Sequence, residues 1–317
     1  MHLSLPSHLS LPSRLSPPSR LSLSSFPRLR LAMRLPRLLG VCLASALGAA
    51  CTGLPPAPPS TDQANATTLP APSAAARQDL APGGRLKAAI NFGNPILAQR
   101  DAAGGEPRGV SVDLARELAR RLGVPLQLVT FESAGRVFAA ARESAWDIAF
   151  LAVDPGRAGE IAFSPPYVVI EGAYLVREAS PLRGNADVDR PGVRVVVGRG
   201  SAYDLYLSRE IKRATLVHAP TSPAVTDQMM AQGIEVAAGV KQQLQADSRR
   251  HPGTRLLPGS FMEIRQAMGT PRGRDAGAAY LASFIEAMKA DGFVAASLQR
   301  HKIEGASIAP PARLMRP

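Results

Sequence analysis

The sequence predicts an α/β protein of two lobes, each a mainly parallel sheet flanked by helices. Three observations carry this. From about residue 84 onward, strand-like apolar runs alternate with segments of helical period. One run, Asp147-Ile148-Ala149-Phe150-Leu151-Ala152-Val153, is continuously apolar after its aspartate, as a strand buried on both faces must be. The alternation also occurs twice over, in two sets of roughly 90 residues each, a usual size for a folding unit.

In the first set, Arg85 to Phe92 reads as a strand that ends in the turn signal Gly93-Asn94-Pro95. Val112 to Leu122 places Val112, Leu114, Ala115, Leu118, Ala119 and Leu122 on one helical face, opposite Arg116, Glu117, Arg120 and Arg121. Ser111 is the expected amino-terminal cap and Gly123 the carboxyl-terminal one. Pro125 to Phe131 reads as a strand, and Ser133 opens a helix carrying Val137, Phe138 and Ala141. In the second set, Val193 to Gly198 is a strand and Ser201 starts a helix through Leu207. Ala214 to His218 is another strand, and Ser222-Pro223 starts a helix with proline at its first position. Ile234 to Val240 and Lys241 to Asp247 form the last strand and helix of the set. Helices at Ala278 to Met288 and after Gly292 follow.

The totals bound the function. The chain has 317 residues, 45% of them apolar, enough for a sizeable core, but 13 of its 29 prolines crowd into the first 84 residues. The net charge of +12 invites a nucleic-acid reading until it is located. Residues 1–50 hold six arginines and no acid, so half of that charge lies outside the folded part. No basic run with interleaved aromatics remains, and nucleic-acid binding is not expected. The two cysteines, Cys42 and Cys51, both lie in the amino-terminal segment. The folded part therefore has neither a disulfide nor a thiol nucleophile.

Residues 2–25 form an approximate six-residue repeat with regularly spaced prolines, which prevent a continuous helix. The expectation is an upstream extension and signal peptide over 1–50, with Met33 as the true start. Arg34 and Arg37 lead into an apolar run from Leu38 to Leu47, the pattern of a signal peptide and too short for a membrane span. Two cleavage readings are open. Ala44-Ser45-Ala46 fits ordinary signal peptidase, whereas Leu47-Gly48-Ala49-Ala50-Cys51 is similar to a lipoprotein signal with Cys51 as the lipidated residue. Residues 51–83 are rich in Pro, Ala, Ser and Thr and read as a disordered tether. A folded domain expected to bind a solute follows over 84–305, with lobe 1 at about 84–174 and 268–305 and lobe 2 at about 175–267. Residues 306–317 are expected to be a flexible tail. Short crossovers near Gly172–Val176 and Arg265–Gly269 would let the lobes close by hinge motion.

Four segments carry a family resemblance: Gly109-Val110-Ser111-Val112-Asp113-Leu114-Ala115, Asp147-Ile148-Ala149 through Arg157, Ile161 to Tyr167, and Gly198-Arg199-Gly200-Ser201. Together with the closing helix and glycine in Phe284 to Phe293, their order and spacing resemble family 3 of the bacterial extracellular solute-binding proteins, over about 84–305. The resemblance implies the type II periplasmic-binding-protein-like fold and service to an amino-acid-type ABC transporter. It also implies that Arg157 grips the carboxylate of a ligand. Independently, Arg157 sits just past the carboxyl end of a buried strand, where crevice ligands of α/β sheets bind, and its guanidinium offers a bidentate fork. The plainer reading is a surface pair with Glu160. Gly200, Ser201 and Ala202 form a strand-to-helix corner with free backbone N–H groups, although Ser201 with Asp204 also suits a simple cap.

Other positions depart from the family. Asn91 stands where the family commonly has an acid, with Phe92 as the ring expected nearby. Phe150 stands where small hydroxyl residues are frequent, and the interval from Asp147 to Arg157 is shorter. Val240 stands where amino-acid binders carry the acid that grips an α-ammonium, and an unpaired buried amine costs several kcal/mol. The expected ligand is thus an organic anion or an unusual amino-acid derivative. No cofactor and no metal is expected, and none of the five histidines lies in a block that resembles a cleft loop. The expected protein is a non-enzymatic, periplasmic monomer whose partners are a small molecule, an ABC transporter permease and, through a lipid on Cys51, a membrane. A ligand-sensing domain and a dehydratase-like enzyme on the same scaffold are the alternatives, with Glu171 the one acid near the interlobe crossover to test for catalysis.

Overall fold

The computed structural model describes residues 69–101 and 104–312. The extension, the signal segment and Cys51 lie outside these residues. The first helix, α1 (Ala74–Leu80), falls where a tether was expected. The Ser73 hydroxyl accepts the Ala76 N–H at 3.1 Å and caps it, while Ala76 and Leu80 turn inward. A run of Ala and Ser therefore folds here because it has a cap and two small apolar residues that reach a neighbouring surface. That surface is α8 (Asp275–Ala290), where a side chain at Gly277 would stand 2.8 Å from the Asp79 Cβ.

The remaining elements of the first lobe are β1 (Leu86–Asn91), α2 (Val110–Leu122), β2 (Leu126–Phe131), α3 (Ala134–Ala139) and β3 (Ile148–Ala152). A short turn of helix, α4 (Pro155–Ala158), follows. Then β4 (Ile161–Arg177) runs unbroken for 17 residues. The second lobe holds β5 (Arg194–Gly198), α5 (Ala202–Glu210), β6 (Thr215–Ala219), α6 (Val225–Ala231), β7 (Val236–Val240), α7 (Lys241–Arg250) and β8 (Thr254–Leu256). The chain returns through β9 (Met262–Pro271) to α8, α9 (Phe293–Arg300) and β10 (Ser307–Ile308).

The strands lie in the order β2-β1-β3-β9-β4-β7-β5-β6. Pairs β1·β2, β1·β3, β5·β6 and β5·β7 are parallel, whereas β9 runs antiparallel to both β3 and β4. Two lobes result, each with three parallel strands, joined by the long strands β4 and β9. β4 pairs β9 from Ile161 to Gly172, then exchanges it for β7 from Gly172 to Val176. β9 already pairs β3 from Gln266. The expected crossover at Arg265–Gly269 is thus regular strand rather than loop, because its buried backbone groups need a ladder to satisfy them.

One apolar cluster runs through both lobes, with Ile90, Leu114, Leu118 and Phe284 fully buried in the first and Val195, Val197 and Val236 in the second. A separate cluster of Val196, Met229, Ala237 and Leu244 lies within the second lobe. Three local expectations need correction. The cap of α2 is Gly109 at φ +127°, not Ser111. Gly109 lies so close to Leu97 that a Cβ would stand 2.3 Å from the Leu97 carbonyl oxygen, which only glycine permits. Ser111 is inside the helix and buried, 3.4 Å from the Tyr167 hydroxyl. The helix expected at Ser222-Pro223 begins as a 3₁₀ turn, Ser222–Ala224, with α6 starting at Val225. Finally, the expected flexible tail is partly pinned: β10 pairs Val168 and Val169 of β4, and Ala309 is buried. Among the described residues no helix is long and apolar enough to cross a membrane.

Candidate functional site

The ends of β1, β3 and β5 meet at a cleft between the lobes that holds about 340 Å³ of empty space, its open mouth included. Arg157 is its charged centre. Asp154 caps α4 by accepting the Gly156 N–H at 2.8 Å, Pro155 fixes the first turn, and the turn carries Arg157 inward. The arginine is 1% exposed. It donates from Nη1 to the Ala152 carbonyl at 3.0 Å and from Nη2 to the Gly200 carbonyl, in the opposite lobe, at 2.7 Å. Two of its five N–H donors are thereby used, and three remain. Burial lowers its pKa to about 10, partly offset by the Asp154 carboxylate, so it is charged at neutral pH. The plain pairing with Glu160 is not found: Glu160 accepts from Arg142 at 2.8 Å instead.

The second wall is the start of α5. The Ser201 hydroxyl accepts the Asp204 N–H at 3.0 Å, and the Asp204 carboxylate accepts the Gly200 N–H at 2.7 Å. The cap expected from spacing is therefore present, and the Ser201 oxygen is occupied by it. The N–H groups of Ala202 and Tyr203 in the first turn have no acceptor within the helix, and both residues line the cleft. Asp204 also bonds His218 at 2.9 Å, which ties the corner to β6. Burial pushes the Tyr203 hydroxyl up to about 12, against nearby Ser222 and Ser201, so it stays protonated.

Of the residues singled out from the sequence, Asn91, Arg157, Ser201, Ala202 and Val240 line the cleft, and Gly200 touches it through its carbonyl. The Asn91 side-chain oxygen accepts the Gly93 N–H at 2.9 Å, which leaves its amide N–H₂ as the free end. Three do not line the cleft. Phe92 is turned into the first-lobe core with the Arg100 guanidinium 4.4 Å over its ring. Side chains alternate along a strand, so when Asn91 faces the cleft its neighbour cannot. Phe150 packs edge-on against Tyr167 at 6.2 Å for the same reason, with Leu151 taking the cleft side. Glu171 lies on the hinge strand opposite Glu263 and pairs with Lys241 at 2.7 Å, which holds its carboxyl below the usual range.

Sequence reasoning missed Asn94, Gln266, Ser222 and Tyr203. Gln266 had a signal: at alternate spacing with Ile264 and Met268 it is the polar member of the strand's inward set, while Arg265 between them is exposed. Asn94 had been read only as part of a turn. It is buried, and its side-chain oxygen accepts no hydrogen bond among the described residues. Among the described residues no carboxylate lines the cleft.

Two α/β lobes joined by a pair of long strands, with a polar cleft between them, define the type II periplasmic-binding-protein class. The chain belongs to the bacterial extracellular solute-binding proteins, family 3, whose family model matches residues 86–302. Among solved structures it is similar to a mutant of ArgBP from T. maritima, at 19% identity and a TM-score of 0.62, covering 71% of this chain and 98% of that one. It is likewise similar to an ancestral amino acid-binding protein described as a precursor of cyclohexadienyl dehydratase (17% identity, TM-score 0.61, 71% and 98% covered). A histidine kinase sensor domain with similarity to periplasmic binding proteins is a third (21%, 0.62, 71% and 98%). At these identities the likeness is one of fold. A comparison with the curated proteins finds no match.

Proposed function

We propose that this chain is a periplasmic solute-binding protein that closes on a small carboxylate without an ammonium group and delivers it to an ABC transporter permease. One observation carries the reading: among the described residues the cleft presents a buried, charged guanidinium and no carboxylate. An anion placed between Arg157 and the first turn of α5 would meet charge-assisted donors from both lobes. The rest of the molecule would meet neutral groups, with the Asn91 amide as donor and the Asn94 oxygen as acceptor. An ammonium there would find no countercharge, which disfavours common α-amino acids.

A lyase-type reaction on this scaffold needs a positioned acid or base. The only acid considered for that role, Glu171, is committed to Lys241 outside the cleft, so binding is the better-supported reading. A thermal-shift screen of small mono-, di- and hydroxycarboxylates beside the same panel of α-amino acids tests it. Stabilisation by carboxylates alone is expected, and stabilisation only by amino acids would overturn the ligand class. Turnover of a stabilising compound would overturn the binding role, and a sensor would be recognised by linkage to a signalling gene rather than to permease genes.

A further inference from the structure

Gly135 is the second residue of α3, in ordinary right-handed helical backbone. Its own conformation does not call for glycine, which is a poorer helix former than alanine. What stands opposite it does. Gly200, from the other lobe, approaches so closely that a Cβ on Gly200 would lie 2.6 Å from the Gly135 Cα. A Cβ on Gly135 would lie 3.2 Å from the Gly200 Cα and 3.3 Å from the Arg199 carbonyl oxygen, tighter than ordinary packing allows. Gly200 has a second reason to be glycine, φ +69°; Gly135 has only this one.

Two polar links flank the contact. Arg157 donates to the Gly200 carbonyl at 2.7 Å, and Arg209 of α5 donates to Asp154 at 2.8 Å. Both run from the second lobe to the β3–α4 corner of the first. Backbone thus rests on backbone where the lobes meet, and two polar bonds link the same corners.

We propose that Gly135 is a positioning residue for closure: its missing side chain lets the lobes meet at Gly200, and that direct contact, with its flanking bonds, holds the closed state and limits ligand size. The closure itself requires no assumption about the ligand; only the limit on size rests on the cleft being the binding site. A side chain at position 135 would hold the lobes apart and relax both bonds.

The test places spin labels at Glu143→Cys in the first lobe and Gln232→Cys in the second, in a full chain carrying Cys42→Ser and Cys51→Ser. Both labelled positions are exposed. Without added ligand, the parent chain should show a narrow short-distance population. Gly135→Leu should reduce that population at least tenfold while leaving the unfolding temperature unchanged or raised, because leucine is a better helix former than glycine. A merely structural role would instead lower the unfolding temperature and leave the distances alone. Should Gly135→Leu unfold, Gly135→Ala provides the same reading with a smaller loss of the short distance. A parent chain that never samples the short distance, or a folded variant that keeps it, overturns the proposal. Neither result bears on whether a carboxylate binds.

Discussion

Asp154 and Arg209 join the two lobes: one carboxylate oxygen caps the turn that carries Arg157, and the other accepts from Arg209 at 2.8 Å. Asp154 is almost fully buried, but the Arg209 side chain is 45% exposed, so the pair is screened. A double-mutant cycle with Asp154→Asn and Arg209→Ala should give a coupling energy of about 0.2–1 kcal/mol in urea unfolding. Full additivity of the two single changes would mean the bond is not formed in solution.

Arg157→Ala should abolish binding of any carboxylate that the screen finds. Removing one side of a buried charge pair costs roughly 2–5 kcal/mol, or about thirty- to several-thousand-fold in affinity. Arg157→Lys should lose much of the same, because an ammonium cannot reproduce the planar fork that reaches Ala152 and Gly200 at once. Calorimetry on both variants checks this, and an unchanged dissociation constant for Arg157→Ala would contradict the anion grip.

Affinity for that carboxylate should be flat across about pH 6 to 9 and decline as pH rises through about 10, where the buried guanidinium loses its charge. The same shift acts on stability with a definite sign. The folded pKa lies below the ordinary arginine value, so at high pH the unfolded chain holds more protons, and this group's contribution to stability rises with pH. At neutral pH its burial is a cost, as expected of a residue placed for binding. Titration calorimetry at stepped pH reads the affinity profile, and a decline centred below pH 8 would point to another group.

Gly109→Ala should destabilise the first lobe by more than about 2 kcal/mol. The new Cβ would stand 2.3 Å from a backbone oxygen, at a φ of +127° that alanine avoids. Denaturant unfolding measures the loss, and a cost under about 0.5 kcal/mol would show that the α2 entrance yields easily.

Cys51→Ala should release the protein from the membrane fraction if Cys51 carries lipid, because acyl chains supply anchoring that a polar tether does not. Equal recovery of both forms in the soluble periplasmic fraction would favour cleavage after Ala46 instead.

Periodicity made most of the lobes legible. The continuous run at β3 and the amphipathic pattern of α2 each reflect what a residue faces, and that repeats along the chain. The 17-residue β4 was recognised only as a block of family resemblance, because its two halves have different partners and no single pattern spans them. Arg157 could be singled out, since a cation after a buried strand is unusual whatever surrounds it. Phe92 and Phe150 face away from the cleft because side chains alternate along a strand, which proximity in sequence does not reveal, and Glu171 lies off it on the hinge strand beside Lys241.

By itself the sequence determined the α/β class, the two-lobed order, the cysteine-free folded part and a positive centre at Arg157, since each follows from local composition and period. Only the tertiary structure decided that α1 folds against Gly277, that Arg157 reaches the Gly200 carbonyl of the other lobe, and that Gly135 and Gly200 touch. Those facts depend on the relative placement of segments more than 40 residues apart. Their geometry is set by how the sheet carries β4 and β9 from one lobe to the other, and no local pattern records it.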